Sequence, residues 1–191
     1  MNFSTSLRTL AIGLAVLLAA CASPDSYYSL SADGPVPTTI SGVSIGVGPV
    51  SIPDYVDRAE LVFQSEEHRF QIPFEHRWAG SLQETTTRVL GTNLARRLNT
   101  GNLHLHPWEP KINLQYEVPV QIRQFHAVSG DDAILEASWT IKDGDSGKVI
   151  ASGVVNASEP IVGDGYDAVV AAESRLVAQL ADAIAARFPK T

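Results

Sequence analysis

Ile112, Leu114, Tyr116, Val118, Val120 and Ile122 form one side of an alternating run whose other side carries Asn113, Gln115, Glu117, Gln121 and Arg123. A period of two with one apolar side predicts a strand that buries a single face. The same alternation places Leu135, Ala137, Trp139 and Ile141 opposite Glu136, Ser138, Thr140 and Lys142. Asp143-Gly144-Asp145-Ser146-Gly147 then supplies turn residues, and Val149 to Ala157 resumes an extended pattern, so the segment predicts a hairpin. Upstream, Tyr27 to Leu30 predicts a first strand and Val43 to Val50 a second, with Pro49 ending its regular pairing or sitting on an edge. Ser31 to Thr39, with Gly34, Pro35 and Pro37, predicts a loop between them. A short strand over Leu61 to Gln64 and a turn through Ser65, Glu66 and Glu67 follow.

Two stretches change period. Trp78, Leu82, Val89, Leu90, Leu94 and Leu98 recur near multiples of 3.6 and predict a helix from Glu75 to about Leu98, with Pro73 before it and Asn99-Thr100-Gly101 after it. Val169, Leu176, Val177, Leu180 and Ile184 predict a second helix from about Tyr166 to Arg187, entered through Asp164-Gly165 and closed by Pro189. The order of strands, long helix, strands, long helix predicts an α+β fold. It would be a two-layer sandwich of a mostly antiparallel sheet with two long helices on one face. Strand order stays open.

The N-terminus departs from this pattern. Leu10 to Ala20 is an apolar run behind a single charge, Arg8. A helix across a bilayer needs about 20 residues, whereas the apolar region of a secretory signal takes roughly 7 to 15. Residues 1–20 therefore predict a cleaved signal. Its end, Leu18-Ala19-Ala20-Cys21, resembles the bacterial lipobox, in which small residues precede the cut and the cysteine sulfur takes a diacylglyceryl group. Cys21 is the chain's one cysteine, so no intramolecular disulfide or thiolate metal pair can form. The expected mature protein begins with an acylated Cys21 and a short tether over 21–26, followed by a single domain over 27–191. Its covalent diacylglycerol and N-acyl chain would be its attachment to a membrane. Lipoproteins retained in the inner membrane usually carry Asp after the cysteine; Ala22 therefore points to the outer membrane, at its periplasmic face.

Charge narrows the partners. The chain has 191 residues, 21 acidic and 14 basic, and a net charge of -7, which gives no general attraction to a phosphate backbone. Nucleic acid is set aside. Cleavage before Cys21 removes Arg8 and leaves the remainder more acidic by one charge.

Catalytic and metal motifs are weak throughout. His104-x-His106 would place two imidazoles on one side of a strand, but no HExxH or Cys pair accompanies it and only Glu109 lies near as a third ligand. No metal site is assigned. Asp143, Asp145 and Ser146 would need an acidic twelfth position to complete a calcium loop, and Val154 stands there. No GxSxG occurs, Ser129-Gly130-Asp131-Asp132 is turn chemistry, and Gly46-Val47-Gly48 lacks the third glycine of a phosphate-cradling turn. The expectation is a non-enzymatic protein with no catalytic residues.

Two segments are more unusual: Pro53-Asp54-Tyr55-Val56-Asp57-Arg58 after the second strand, and Arg77-Trp78 at the start of the first predicted helix. In the architectural reading, Trp78 fills the space between helix and sheet, and Arg58 or Arg77 pairs with Asp54, Asp57 or Glu84. In the recognition reading, Pro53, Asp54, Tyr55, Arg58, Arg77 and Trp78 form a structural or partner-binding motif.

Taken as strings, Val47-Gly48-Pro49-Val50-Ser51-Ile52-Pro53-Asp54-Tyr55-Val56-Asp57-Arg58 and Phe74-Glu75-His76-Arg77-Trp78-Ala79 resemble the PqiC (YmbA-like) family of ABC-type transport auxiliary lipoproteins. The lipobox, Tyr27-Tyr28-Ser29-Leu30 and the late strand with Trp139 fit the same pattern. Val56 stands where leucine is usual and Ala59 where proline is common. The resemblance implies an outer-membrane component of an intermembrane lipid transport system. Its partner would be an MCE-domain (PqiB-like) protein anchored in the inner membrane, whose hexameric tube the lipoprotein docks at its far end. A ring-shaped homo-oligomer would suit that partner's symmetry. The alternative is a periplasmic lipoprotein that binds phospholipid or a small molecule on its own, in a pocket between helix and sheet.

Overall fold

The computed structural model describes residues 25–36, 42–109, 111–128 and 132–189. The predicted signal, Cys21 and most of the tether lie outside these residues, as do part of the 31–39 loop and Ser129 to Asp131.

Nine strands and two long helices make up the described chain. The strands are β1 (Ser26–Tyr28), β2 (Ile45–Ser51), β3 (Phe63–Glu66), β4 (Arg69–Gln71), β5 (His76–Trp78), β6 (Leu103–Leu105), β7 (Tyr116–Val128), β8 (Asp132–Asp143) and β9 (Val149–Pro160). The helices are α1 (Leu82–Arg97) and α2 (Gly165–Ala185). β7, β8 and β9 form a long antiparallel meander, in which Val120 faces Trp139 and Trp139 faces Gly153 across the two ladders. β8 reads as the alternation predicts, with Ala133, Leu135, Ala137, Trp139 and Ile141 buried in turn.

The other edge of β7 is shared. β2 runs parallel to it over Tyr116 to Gln121, and β3 runs parallel to it over Ala127 and Val128. β6 adds to β2 in parallel and β4 to β3 antiparallel, so the sheet is mixed but its longest ladders are antiparallel. Both helices cover one face. Leu82, Leu90 and Leu94 of α1 and Leu176, Leu180 and Ile184 of α2 are buried against Ile45, Val118, Phe125, Leu135 and Ile141. Gly91 allows α1 to approach β6 closely, since a Cβ there would meet Leu105 Cδ2 at 2.5 Å. Arg97 at the end of α1 pairs with Asp182 of α2, and the Leu30 to Asp33 segment crosses both helices, its Ser31 N–H on Ser174 Oγ and its Asp33 N–H on Asn93 Oδ1.

Two boundaries differ most from the sequence expectation, while β1 and β3 are displaced by one or two residues, which puts Ser65 and Glu66 on β3 and not in the turn. The first helix begins at Leu82, not Glu75, and Arg77-Trp78 lies on a strand. Gly80, with φ 142, breaks the chain between them, and Ser81 caps the helix by accepting the Glu84 N–H at 3.2 Å. The 3.6 spacing from Trp78 to Leu82 was therefore coincidental: Trp78 is buried from β5. The strand expected from Ile112 starts at Tyr116 and runs on to Val128, because the Gln115 N–H turns to the Ser44 carbonyl before the β7 ladder begins.

Candidate functional site

Because β2 leaves β7 at Gln121 and β3 joins it only at Ala127, the edge of β7 between them has no strand partner. The Pro53 to Arg58 segment fills this gap. Its turn is closed by the Val56 and Asp57 N–H groups on the Pro53 carbonyl, and Val56 is buried beneath it. Tyr55 reaches the open edge, where its hydroxyl accepts the Phe125 N–H at 3.3 Å and lies 2.8 Å from His126 Nδ1. Gln64 donates its Nε2 to the Glu67 carbonyl, which turns its Oε1 toward His126 Nε2 at 3.0 Å. That orientation puts the imidazole proton on Nε2 and leaves Nδ1 to accept from Tyr55. Burial holds the Tyr55 hydroxyl above its usual pKa, with the Glu173 charge adding to the effect, and burial holds His126 below its own. Both groups are neutral near pH 7, and Phe70 packs against both rings at 5.0 and 5.2 Å.

Arg58 and Arg77 meet on one carboxylate. Glu60 accepts Arg58 Nε and Arg77 Nη2, each at 3.1 Å, and the hydrogen bond from Arg58 is the main cause of its lowered pKa. The expected partners Asp54, Asp57 and Glu84 are thus replaced by Glu60. The reason is the backbone: Glu60 bridges Arg77 antiparallel, with the Trp78 N–H on the Ala59 carbonyl and the Leu61 N–H on the His76 carbonyl. β5 also pairs in parallel with β1, Tyr27 beside Arg77 and Tyr28 beside Trp78. Of the six candidate residues, Trp78 serves the core and Tyr55 the sheet edge. Asp54 and Arg58 are exposed, while Pro53 and Arg77 are half-buried.

A cleft of about 680 Å³ opens beside this region, lined by Phe63, Ile72, Pro73, Val128, Tyr166 and Val169 among others. Tyr166 stacks on His76 with centroids 3.5 Å apart, and the Tyr28 hydroxyl lies 2.9 Å from His76 Nδ1. Deeper, α2 carries a buried acid. Glu173 is 3% exposed, its Oε2 has no hydrogen-bond partner among the described residues, and burial raises its pKa to about 8. Glu173 escaped the sequence reading, although its position on the Val169, Leu176, Val177, Leu180 stripe was a visible signal. Glu60 was also missed, because its partners are set by long-range pairing; His126, expected from the sequence as a surface or hydrogen-bonded structural residue, is the latter.

The remaining candidates lie elsewhere. His104 is on β6, where its Nε2 meets Asn102 Oδ1 at 3.0 Å, and His106 is in the following loop against Trp108. Among the described residues no group of three or more His, Cys, Asp or Glu side chains could hold a metal. Asp143 accepts from the Ser146 N–H and hydroxyl, closing the β8–β9 turn, and these bonds lower its pKa.

A mixed sheet under two helices, with its unusual residues closing a sheet edge and pairing surface charges, defines an α+β two-layer domain. Residues 28–185 match the model of the ABC-type transport auxiliary lipoprotein component family, and the chain belongs to that family. Its fold is similar to that of an uncharacterized protein of known crystal structure, at 20% identity and a TM-score of 0.71, covering 86% of this chain and 98% of that one. A protein from Xanthomonas campestris is also similar, at 14% identity and a TM-score of 0.64, covering 83% and 92%. No curated protein sequence matches the chain.

Proposed function

We propose that this chain is a non-enzymatic lipoprotein of the outer membrane that docks the far end of a lipid conduit formed by an MCE-domain (PqiB-like) protein. The family match over residues 28–185, directly behind Cys21 in its lipobox setting, carries this reading. Among the described residues no helix is long and apolar enough to cross a membrane. The proposed attachment is through acyl chains on Cys21. Ala22 favours the outer membrane and a periplasmic orientation.

The contact surface is the charged rim around Glu60. Asp54, Asp57 and Arg58 are exposed on the 53–58 turn with Arg77 beside them, and such rim charges steer and orient a partner more than they add affinity. A ring of copies around the tube would present this rim repeatedly to a symmetric partner. The test is a pull-down of the tagged full-length lipoprotein from detergent-solubilised envelopes. Recovery of an MCE-domain protein, lost on Cys21→Ser, supports docking at the membrane. Recovery of other envelope proteins without it contradicts the reading.

The cleft supports a second reading, in which the protein itself holds phospholipid. Delipidated protein incubated with phospholipid would then carry it in native mass spectrometry, whereas a docking component would emerge without lipid.

A further inference from the structure

We infer that the Pro73 to His76 turn rests on the membrane, with Phe74 in the headgroup layer of the leaflet that holds the acyl chains of Cys21. This rests on the reading of Cys21 as the acylated residue. The turn is closed by the His76 N–H on the Pro73 carbonyl at 3.3 Å, which leaves Phe74 and Glu75 at its tip. Phe74 is 79% exposed, more than any other large hydrophobic side chain among the described residues.

Its position follows from the register. β1 and β5 are parallel and Ser26 pairs with His76, so both strands begin at the same end, and the Ser26 N–H donates to the Glu75 carbonyl at 2.8 Å. The turn therefore stands where the chain departs toward Cys21. Four residues separate Cys21 from Ser26, and the five steps from one to the other span at most about 18 Å when fully extended. A leaflet's polar layer is itself about 5 to 8 Å deep. So short a connection keeps the Phe74 turn within about 10 to 13 Å of the leaflet surface.

Other residues agree with a lipid surface. Tyr27, 62% exposed on β1, stands beside the turn, and aromatic side chains favour the bilayer interface. Val162, 77% exposed, lies between Ile161 and Gly163 on the lip of the cleft that Pro73 also lines. The charges here are mixed, with Arg77 Nη1 3.8 Å from Asp25 and Glu75 adjacent. That combination suits zwitterionic phospholipid headgroups better than a strongly anionic surface.

Acylation consumes the Cys21 sulfur, so Phe74→Cys in the full-length acylated protein creates a single reactive thiol. The variant is labelled with an environment-sensitive fluorophore, reconstituted into phosphatidylethanolamine and phosphatidylcholine vesicles, and recovered by flotation. Lipids spin-labelled at the headgroup and the upper acyl chain then serve as quenchers. Asp145→Cys is the control: its turn lies at the Tyr116 end of β7, about 40 Å along the strand from the Val128 end that lines the cleft. The expected result is at least a twofold fall in fluorescence at 74 and little change at 145. A label at Tyr27→Cys should be quenched as well, and adding Phe74→Asp should at least halve that quenching. Floated protein with equal quenching at 74 and 145, or none at 74, overturns the membrane contact alone. Protein that fails to float overturns the anchor reading and the contact with it.

Discussion

Glu173→Gln separates the cost of a buried acid from the rest of the fold. The carboxyl has an ordinary pKa of 4.5 and is raised by burial to about 8 in the folded protein. Between those values the folded state keeps a proton that the unfolded state has released, so stability falls as pH rises, by about 1.4 kcal/mol per unit. Between pH 5 and pH 8 the loss is about 3 kcal/mol, on the order of a quarter to a half of a typical domain's stability. Gln cannot ionise, so its curve lacks this slope. At pH 5 the variant is the less stable by about 1 to 2 kcal/mol, because its amide brings two donors to a place where Glu173 Oε2 has no partner. The two stability curves therefore cross between pH 5 and 8. His126, whose pKa burial lowers, acts in the opposite sense in both proteins: its contribution rises with pH up to the unfolded histidine value. Only the difference between the proteins isolates Glu173. Urea unfolding followed by the fluorescence of the buried Trp78 and Trp139 measures it. A difference that stays constant from pH 5 to 8 would refute the buried, protonated Glu173.

Three further outcomes follow from the site. Tyr55→Phe leaves the Phe125 N–H and His126 Nδ1 without their partner and should cost about 1 to 3 kcal/mol, with faster hydrogen exchange at the Phe125 amide. Ser81→Ala removes the cap on Glu84 N–H and should cost about 1 kcal/mol, with the amides of the first α1 turn losing protection. Arg77→Met should change stability by less than about 1 kcal/mol, because its ion pair is partly exposed and Glu60 keeps Arg58. Under the docking proposal the same change lowers partner recovery in a pull-down, which separates a recognition role from a structural one.

The legible parts of the fold were those whose pattern is local. The β8–β9 hairpin and α2 could be read because alternation, turn residues and a continuous apolar stripe all agree within one segment. β5 was hidden because its partners are β1, 48 residues away for Tyr28 and His76, and a single bridge to Glu60; three residues carry no period of their own. The motif around Tyr55 was visible as unusual, but its task was not. The gap it fills exists only because β2 and β3 share one edge of β7, a non-local fact. Arg58 and Arg77 were singled out while Glu60, which joins them, was not, since three acids close in sequence were equally available.

Site-specific crosslinking in living cells, from a photoreactive residue placed at Asp54, bears most directly on the docking role. The account predicts an adduct with an MCE-domain protein, recovered in the outer-membrane fraction and abolished when Cys21→Ser releases the domain. A lipoprotein that resides in the outer membrane yet crosslinks only to proteins without an MCE domain would contradict it.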